Sequence, residues 1–180
     1  MSSAEATLDL ASNLHPHGPH PAVIEAARSA ELGRYPEPDP AVLRAEVALS
    51  IGVSREQVLI TAGATEAIHL ALRAVLGPGD ACTLFTPAFG EYERAALAAG
   101  FNFERHEAIP PDFAPPPADP PRALLTMIAN PSSPAGVYLD ESVIRRVLRV
   151  ARGVALVDAV YEPFVEDAWD ANKLVRDGLP

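Results

Sequence analysis

A chain of 180 residues, 48% hydrophobic and 21% charged, is long enough to bury one core and too short for two. Its apolar segments are broken by Pro, Gly or charge before reaching the roughly 20 residues of a membrane helix. Met1 to Ala11 lacks the basic and apolar regions of a secretory signal, so the cytoplasm is the expected compartment. Fourteen basic against 24 acidic residues give a formal charge of −10, which repels phosphate backbones and argues against nucleic acid as a partner.

Leu8 to Pro21 is crowded with His, Pro, Gly and Asn and reads as an extended arm. Pro21 at a helix N1 position places Val23, Ala26, Ala27 and Ala30 on one face, with Gly33 closing that helix. A second helix starts after Asp39-Pro40, with Val42, Leu43 and Val47 as its apolar side and Gly52 as its stop. Ser54 and Gln57 stand in capping-box spacing, while the β-branched run that follows predicts a strand over 58–61. The period then alternates between 3.6 and 2. A helix carries Ile68, Ala71, Leu72 and Val75, and a strand follows over Cys82 to Phe85. Next come a helix over Tyr92 to Ala99 and a strand over Phe101 to Arg105. Pro110 to Pro121 has seven prolines in twelve residues and reads as a stiff connector. Ala123 to Ile128 is a strand, and Asp140 caps a helix with Val143, Ile144, Val147, Leu148 and Ala151 inward and Arg145, Arg146, Arg149 and Arg152 mostly outward. Val154 to Val157 is the last strand. Such alternation predicts an α/β fold with a mostly parallel sheet covered on both faces.

In open α/β sheets ligands bind beyond the carboxyl ends of the strands. Four exits there are rich in polar, Gly and aromatic residues: Thr61 to Glu66, Thr86 to Gly90, Asn130 to Gly136, and Asp158 to Tyr161. The first opens directly into a helix, whose free N–H groups and dipole suit an anion such as phosphate. Asp158 ends an apolar strand, where a carboxylate is costly unless a cation or hydrogen-bond donor meets it; a turn cap is the other reading of that residue. Phe89, by itself, has a core reading. Cys82, the single cysteine, excludes an internal disulfide and reads as a small buried hydrophobe. His15, His17 and His20 have no carboxylate or cysteine nearby in sequence to complete a metal site.

Taken in order, Asn13-Leu14-His15-Pro16, Arg34-Tyr35-Pro36-Glu37-Pro38, Gly63-Ala64-Thr65-Glu66, Asn130 to Gly136 and Asp158 to Tyr161 resemble one family: the fold-type I pyridoxal-phosphate enzymes of aminotransferase class I/II. The branch they resemble is that of histidinol-phosphate aminotransferase and threonine-phosphate decarboxylase. The resemblance implies a three-layer α/β large domain, truncated here. Residues 1–21 would be an N-terminal arm and 22–180 part of the pyridoxal-phosphate-binding domain, with its C-terminal part and the small domain absent. It also implies that Ala64 and Thr65 give backbone N–H groups to the cofactor phosphate and that Phe89 stacks on the pyridine ring. Asp158 would pair with the protonated ring nitrogen, keeping the ring an electron sink, and Tyr161 would bond its phenolic oxygen. Tyr35 would reach the neighbouring site of a homodimer, and Asn13 would line the substrate entrance.

Two positions depart from the family pattern. Ser133 stands where the family has an asparagine that helps hold the ring oxygen, and a hydroxyl is shorter. The family's Schiff-base lysine lies beyond Pro180, and Lys173, the only lysine, sits too close to Asp158 and on what reads as an exposed helix. The resemblance therefore implies amino-group transfer between an amino acid and a 2-oxo acid by the parent enzyme, with this chain inactive alone. Decarboxylation of threonine phosphate is the runner-up, since Phe89 to Ala95 looks like that branch. A non-catalytic cofactor-binding or dimerisation module is a further alternative. A dinucleotide-binding domain is disfavoured because Thr61 to Glu66 has one glycine. A sheet lacking later strands would also leave an unpaired edge and apolar helix faces prone to association.

Overall fold

In the computed structural model, which describes residues 14–15, 17–113 and 123–179, the chain divides after Asp39 into two units. The first holds helix α1 (Pro21–Arg28). Pro21 fits the first turn, where its missing N–H has no partner to lose, and His20 Nδ1 accepts the Ala22 N–H at 3.2 Å. The helix ends at Arg28 and does not run on to Gly33: the Ser29 N–H still donates to the Glu25 carbonyl at 3.0 Å, while the Ser29 hydroxyl lies 3.1 Å from the Ala26 carbonyl, the acceptor the next helical N–H would need. That competition for backbone acceptors is the usual way serine interrupts a helix. The Asn13 position lies outside the described residues, as do 114–122 of the expected proline-rich connector.

The second unit begins with α2 (Ala41–Ile51), closed by Gly52 at φ +70°, a left-handed cap that glycine adopts without strain. Only Ala48 of this helix is buried, and Val42 and Leu43 of its expected inward side are exposed. Ser54 and Gln57 do form the capping box, around a single 3-10 turn over Arg55–Gln57. The strand predicted over 58–61 does not form: Val58 is extended, but the segment pairs with no strand among the described residues. Its backbone is used otherwise. Arg44 Nε donates to the Val58 carbonyl at 2.9 Å and Arg44 Nη2 to that of Arg55 at 2.8 Å. β-Branched composition supplies the conformation, but a strand needs a neighbour to accept its ladder.

From there the expected alternation is present: α3 (Gly63–Val75), β1 (Ala81–Thr86), α4 (Glu91–Ala99), β2 (Asn102–Glu107), β3 (Leu125–Ala129), α5 (Glu141–Val150), β4 (Val154–Asp158) and a short α6 (Lys173–Arg176). The four strands are parallel in the order β2-β1-β3-β4. One face buries Cys82, Leu84, Leu125 and Met127 against Ile68 and Leu72 of α3 and Tyr92, Ala95 and Ala96 of α4. On the other, Ile128, Phe85, Ala155 and Val157 meet Ile144 and Leu148 of α5 and Leu174 of α6. This is the three-layer α/β arrangement. Burial raises the Cys82 thiol to about 11, as befits a core hydrophobe and not a reactive thiolate. Asp140 stands at the N-cap of α5 but acts through its carbonyl, which accepts from Val143 and Ile144, with no side-chain cap bond.

Among the described glycines, Gly153, just before β4, makes the closest approach to a neighbouring backbone. A Cβ there would lie 2.1 Å from the Leu124 carbonyl oxygen, the same oxygen that accepts the Val154 N–H at 2.8 Å. Gly153→Ala must push β4 away from β3 where their pairing begins, so it is expected to cost about 2–3 kcal/mol. Urea unfolding should show this as a lowered midpoint with an unchanged slope.

Candidate functional site

The chain leaves β1 toward β2 on one side and then crosses back to place β3 on the other, so the strand order reverses between β1 and β3. Reversal opens a crevice at the carboxyl ends of the strands. A cleft of about 170 Å³ lies there, lined by Ala64, Thr65, Phe89, Tyr92, Ala129, Pro131, Ser133, Asp158, Val160 and Tyr161. Three strand exits, after β1, β3 and β4, thus converge with the N-terminal turn of α3, which no strand precedes although one was expected there. The cleft brings together Ala64, Thr65, Phe89, Ser133, Asp158 and Tyr161, all singled out from sequence. Tyr35 belongs to the first unit, where its side chain is 100% exposed.

At one end the turn into α3 is set by Gly63, whose φ of +78° an L side chain would resist. Thr61 Oγ1 donates to the Gly63 carbonyl at 2.9 Å, and the Glu66 carboxylate accepts the Ala62 N–H. Those contacts leave the Ala64 and Thr65 N–H groups without a protein acceptor among the described residues, as the first turn of a helix must. Together with the helix dipole they form an anion seat.

Asp158 stands at the end of β4. Its Oδ1 accepts the Val160 N–H at 3.0 Å and its Oδ2 accepts the Tyr92 hydroxyl at 2.7 Å. The turn-cap reading is therefore correct for one oxygen and incomplete for the residue. Each carboxylate oxygen offers about two lone-pair directions, so both keep capacity to meet a cationic donor from the cleft. Phe89 is not core: it is 44% exposed, and its ring stands edge-on to Tyr92 at 89°, with centroids 6.0 Å apart. Tyr161 precedes the 3-10 turn Glu162–Phe164, with its ring beside Phe164.

The loop carrying Ser133 is tied at its base by Asn130, 3% exposed. Asn130 Oδ1 accepts the Leu139 N–H at 2.7 Å and Nδ2 donates to the Leu139 carbonyl at 3.1 Å. Within the loop, Ser132 Oγ accepts the Val137 N–H at 3.1 Å, and the Ser132 N–H bonds the Val137 carbonyl at 2.8 Å. Lys173 is not among the residues lining the cleft, and its Nζ lies 3.8 Å from Glu141 Oε2.

Tyr92 is the residue that the sequence reading missed. It stood there as a helix start and within the Phe89 to Ala95 stretch, with no site role, yet its hydroxyl reaches Asp158 across 66 positions. One signal was present: a tyrosine on the inward side of a helix carries a hydroxyl that must find a partner when buried. Burial first, and then the adjacent carboxylate, hold its phenol well above the usual tyrosine range, so it stays a neutral donor.

A family model described as aminotransferase class I and II matches residues 5–179. The histidinol-phosphate aminotransferase of Dinoroseobacter shibae is 34% identical over 180 residues, covering 96% of this chain and 50% of that protein. The chain spans about half the length of the curated relatives it matches. Among solved structures, L-threonine-O-3-phosphate decarboxylase from Porphyromonas gingivalis is 26% identical with a TM-score of 0.66, covering 78% of this chain and 42% of that one. Histidinol-phosphate aminotransferase from Sinorhizobium meliloti in complex with pyridoxal-5'-phosphate has a TM-score of 0.75 at 18% identity, covering 87% and 45%.

Proposed function

Because the chain belongs to the aminotransferase class I and II family, we propose that its cleft binds pyridoxal 5'-phosphate and serves transfer of an amino group between an amino acid of the histidinol-phosphate kind and a 2-oxo acid. The observation that carries this reading is the convergence on one cleft of a helix N-terminus, a strand-end carboxylate, the Ser133 and Tyr161 hydroxyls and the Phe89 ring. That donor set matches the cofactor group by group. The Ala64 and Thr65 N–H groups suit a phosphate dianion, and Asp158 suits a protonated pyridine nitrogen. Ser133 and Tyr161 suit the phenolic oxygen, and Phe89 supplies a face for the ring. Bound there, the cofactor supplies an electron sink for negative charge developing at the substrate Cα.

The chain's own residues bind and orient in this scheme. Asp158 keeps a negative charge against the ring nitrogen, Phe89 restricts the ring to one plane, and the α3 seat fixes its phosphate end. The amine that would carry the cofactor is not Lys173, which lies outside the cleft lining and beside Glu141. Residues 22–180 act as part of the cofactor-binding domain, with 1–21 as an arm. In this reading the active species is a homodimer with shared sites, in which Tyr35 would serve the second copy; its full exposure is compatible with that role. The reading includes amino-acid biosynthesis in the cytoplasm; among the described residues no helix is long and apolar enough to cross a membrane.

Decarboxylation of threonine phosphate is the second reading: a solved decarboxylase of that substrate is 26% identical, the same value as for two solved aminotransferases. Assay of the protein from its whole reading frame with histidinol phosphate against threonine phosphate separates the two. The cofactor reading has its own test. Pyridoxamine 5'-phosphate carries its own amine and needs no lysine, so calorimetric titration of the 180-residue chain should give saturable one-to-one binding. Absence of saturation in the folded chain counts against the proposal.

A further inference from the structure

We infer that Tyr92 is the positioning residue of this cleft, one side chain that sets both the Asp158 carboxylate and the Phe89 ring. The inference rests on the cofactor reading above and adds a residue to it. Tyr92 is 1% exposed, fixed in the first turn of α4 among Leu84, Ala96 and Met127. From that rigid base it makes two contacts into the cleft. Its hydroxyl donates to Asp158 Oδ2 at 2.7 Å. Its ring meets the Phe89 ring edge-on, an arrangement that aromatic quadrupoles favour.

The geometry explains why a tyrosine suits the position. A carboxylate at a strand end has rotational freedom about its Cα–Cβ and Cβ–Cγ bonds unless both oxygens are held. The Val160 N–H holds Oδ1 and Tyr92 holds Oδ2, so the plane of the carboxylate is defined before any ligand arrives. The phenol stays neutral, so it donates to the carboxylate without carrying a competing charge. Phe89, half exposed on the cleft wall, has few ways to keep its ring upright, and the Tyr92 edge supplies one. Edge and face of a bound heterocycle would then be fixed from one anchored side chain, the usual requirement for a preorganised site.

The test compares the wild-type chain, Tyr92→Phe, Tyr92→Leu, Asp158→Asn and the Tyr92→Phe/Asp158→Asn double variant, each checked for folding by circular dichroism. The probe is pyridoxamine 5'-phosphate, followed by calorimetry and by the absorption band of the bound ring at one fixed pH, which reports ring protonation. Tyr92→Phe should weaken binding about tenfold and shift the bound band toward the unprotonated ring, with no further loss when Asp158 is already Asn. Tyr92→Leu should lose more than Tyr92→Phe, since Phe89 is then also unsupported. Unchanged affinity and spectrum in Tyr92→Phe overturn the inference alone, and so does an equal loss in the wild-type and Asp158→Asn backgrounds. Failure of the folded wild type to bind the probe overturns the cofactor reading, and this inference with it.

Discussion

Asp158→Asn is expected to weaken pyridoxamine 5'-phosphate binding about a hundredfold while leaving the fold intact. Asparagine keeps the shape of the side chain and keeps one oxygen to accept either the Val160 N–H or the Tyr92 hydroxyl. It loses the negative charge. A hydrogen bond from a protonated ring nitrogen to a carboxylate is roughly twice as strong as a neutral one, and a partly enclosed cleft screens it less than bulk water does. The loss should be about 2.7 kcal/mol, which is two decades of affinity. Asp158→Ala goes further in a second respect. It leaves the Tyr92 hydroxyl buried without an acceptor, a penalty of about 1–3 kcal/mol to folding itself. Calorimetry and urea unfolding on the two variants should therefore separate: Asn loses the probe and keeps its midpoint, whereas Ala loses both. Wild-type affinity in Asp158→Asn would remove the charge pairing from the account.

The sequence patterns that proved legible are those in which a local period is enforced by burial. Ile68 and Leu72 fall on one stripe of α3 and are buried. Leu125, Met127, Ile128 and Ala129 form a nearly continuous apolar run, interrupted at Thr126, because β3 is covered on both faces. The residues just beyond β1, β3 and β4 could then be placed at the carboxyl end of the sheet without any coordinates, and the cleft contains Phe89, Pro131, Ser133 and Tyr161 among them, whereas Ala64 and Thr65 reach it on a turn that follows no strand. The failures share a cause of the opposite kind. Whether 58–61 is a strand depends on a partner elsewhere in the chain, and Arg44 occupies the backbone instead. Where α1 stops depends on the Ser29 hydroxyl, a choice between two acceptable caps. The inward side expected for α2 depends on what covers it, and periodicity says only which residues share a face. The Tyr92–Asp158 contact is long-range and side chain to side chain, a class of information that neither period nor motif encodes.

Asn130→Ala should destabilise the unit by about 2–4 kcal/mol and loosen the cleft. The Asn130 amide bridges the ends of the loop that carries Pro131 and Ser133 into the site, and it does so while almost fully buried. Truncation affects the two bonds unequally. The Leu139 carbonyl still accepts from Trp169 Nε1 at 3.0 Å, so it remains satisfied. The Leu139 N–H has Asn130 Oδ1 as its acceptor at 2.7 Å and is left orphaned, which costs the desolvation penalty of a buried donor in addition to the lost contacts. Asn130→Asp tests the same geometry through charge. One oxygen still accepts the Leu139 N–H, but the other is brought against the Leu139 carbonyl, oxygen to oxygen, where the amide had donated at 3.1 Å. An ionised carboxylate there is repelled, while a protonated one donates as the amide did. The folded state of that variant therefore binds the proton more tightly than the unfolded chain, so the stability it retains is present at low pH and lost as pH rises. Its deficit relative to wild type should be largest at pH 7 and shrink as the pH is lowered toward the unfolded aspartate value of about 3.9. Urea midpoints of the wild type and both variants, measured at pH 7 and again near the acid end of the folded range, check this. An Asn130→Ala variant within about 0.5 kcal/mol of wild type, or an Asn130→Asp deficit that grows on acidification, would show that the loop is held by something other than this amide.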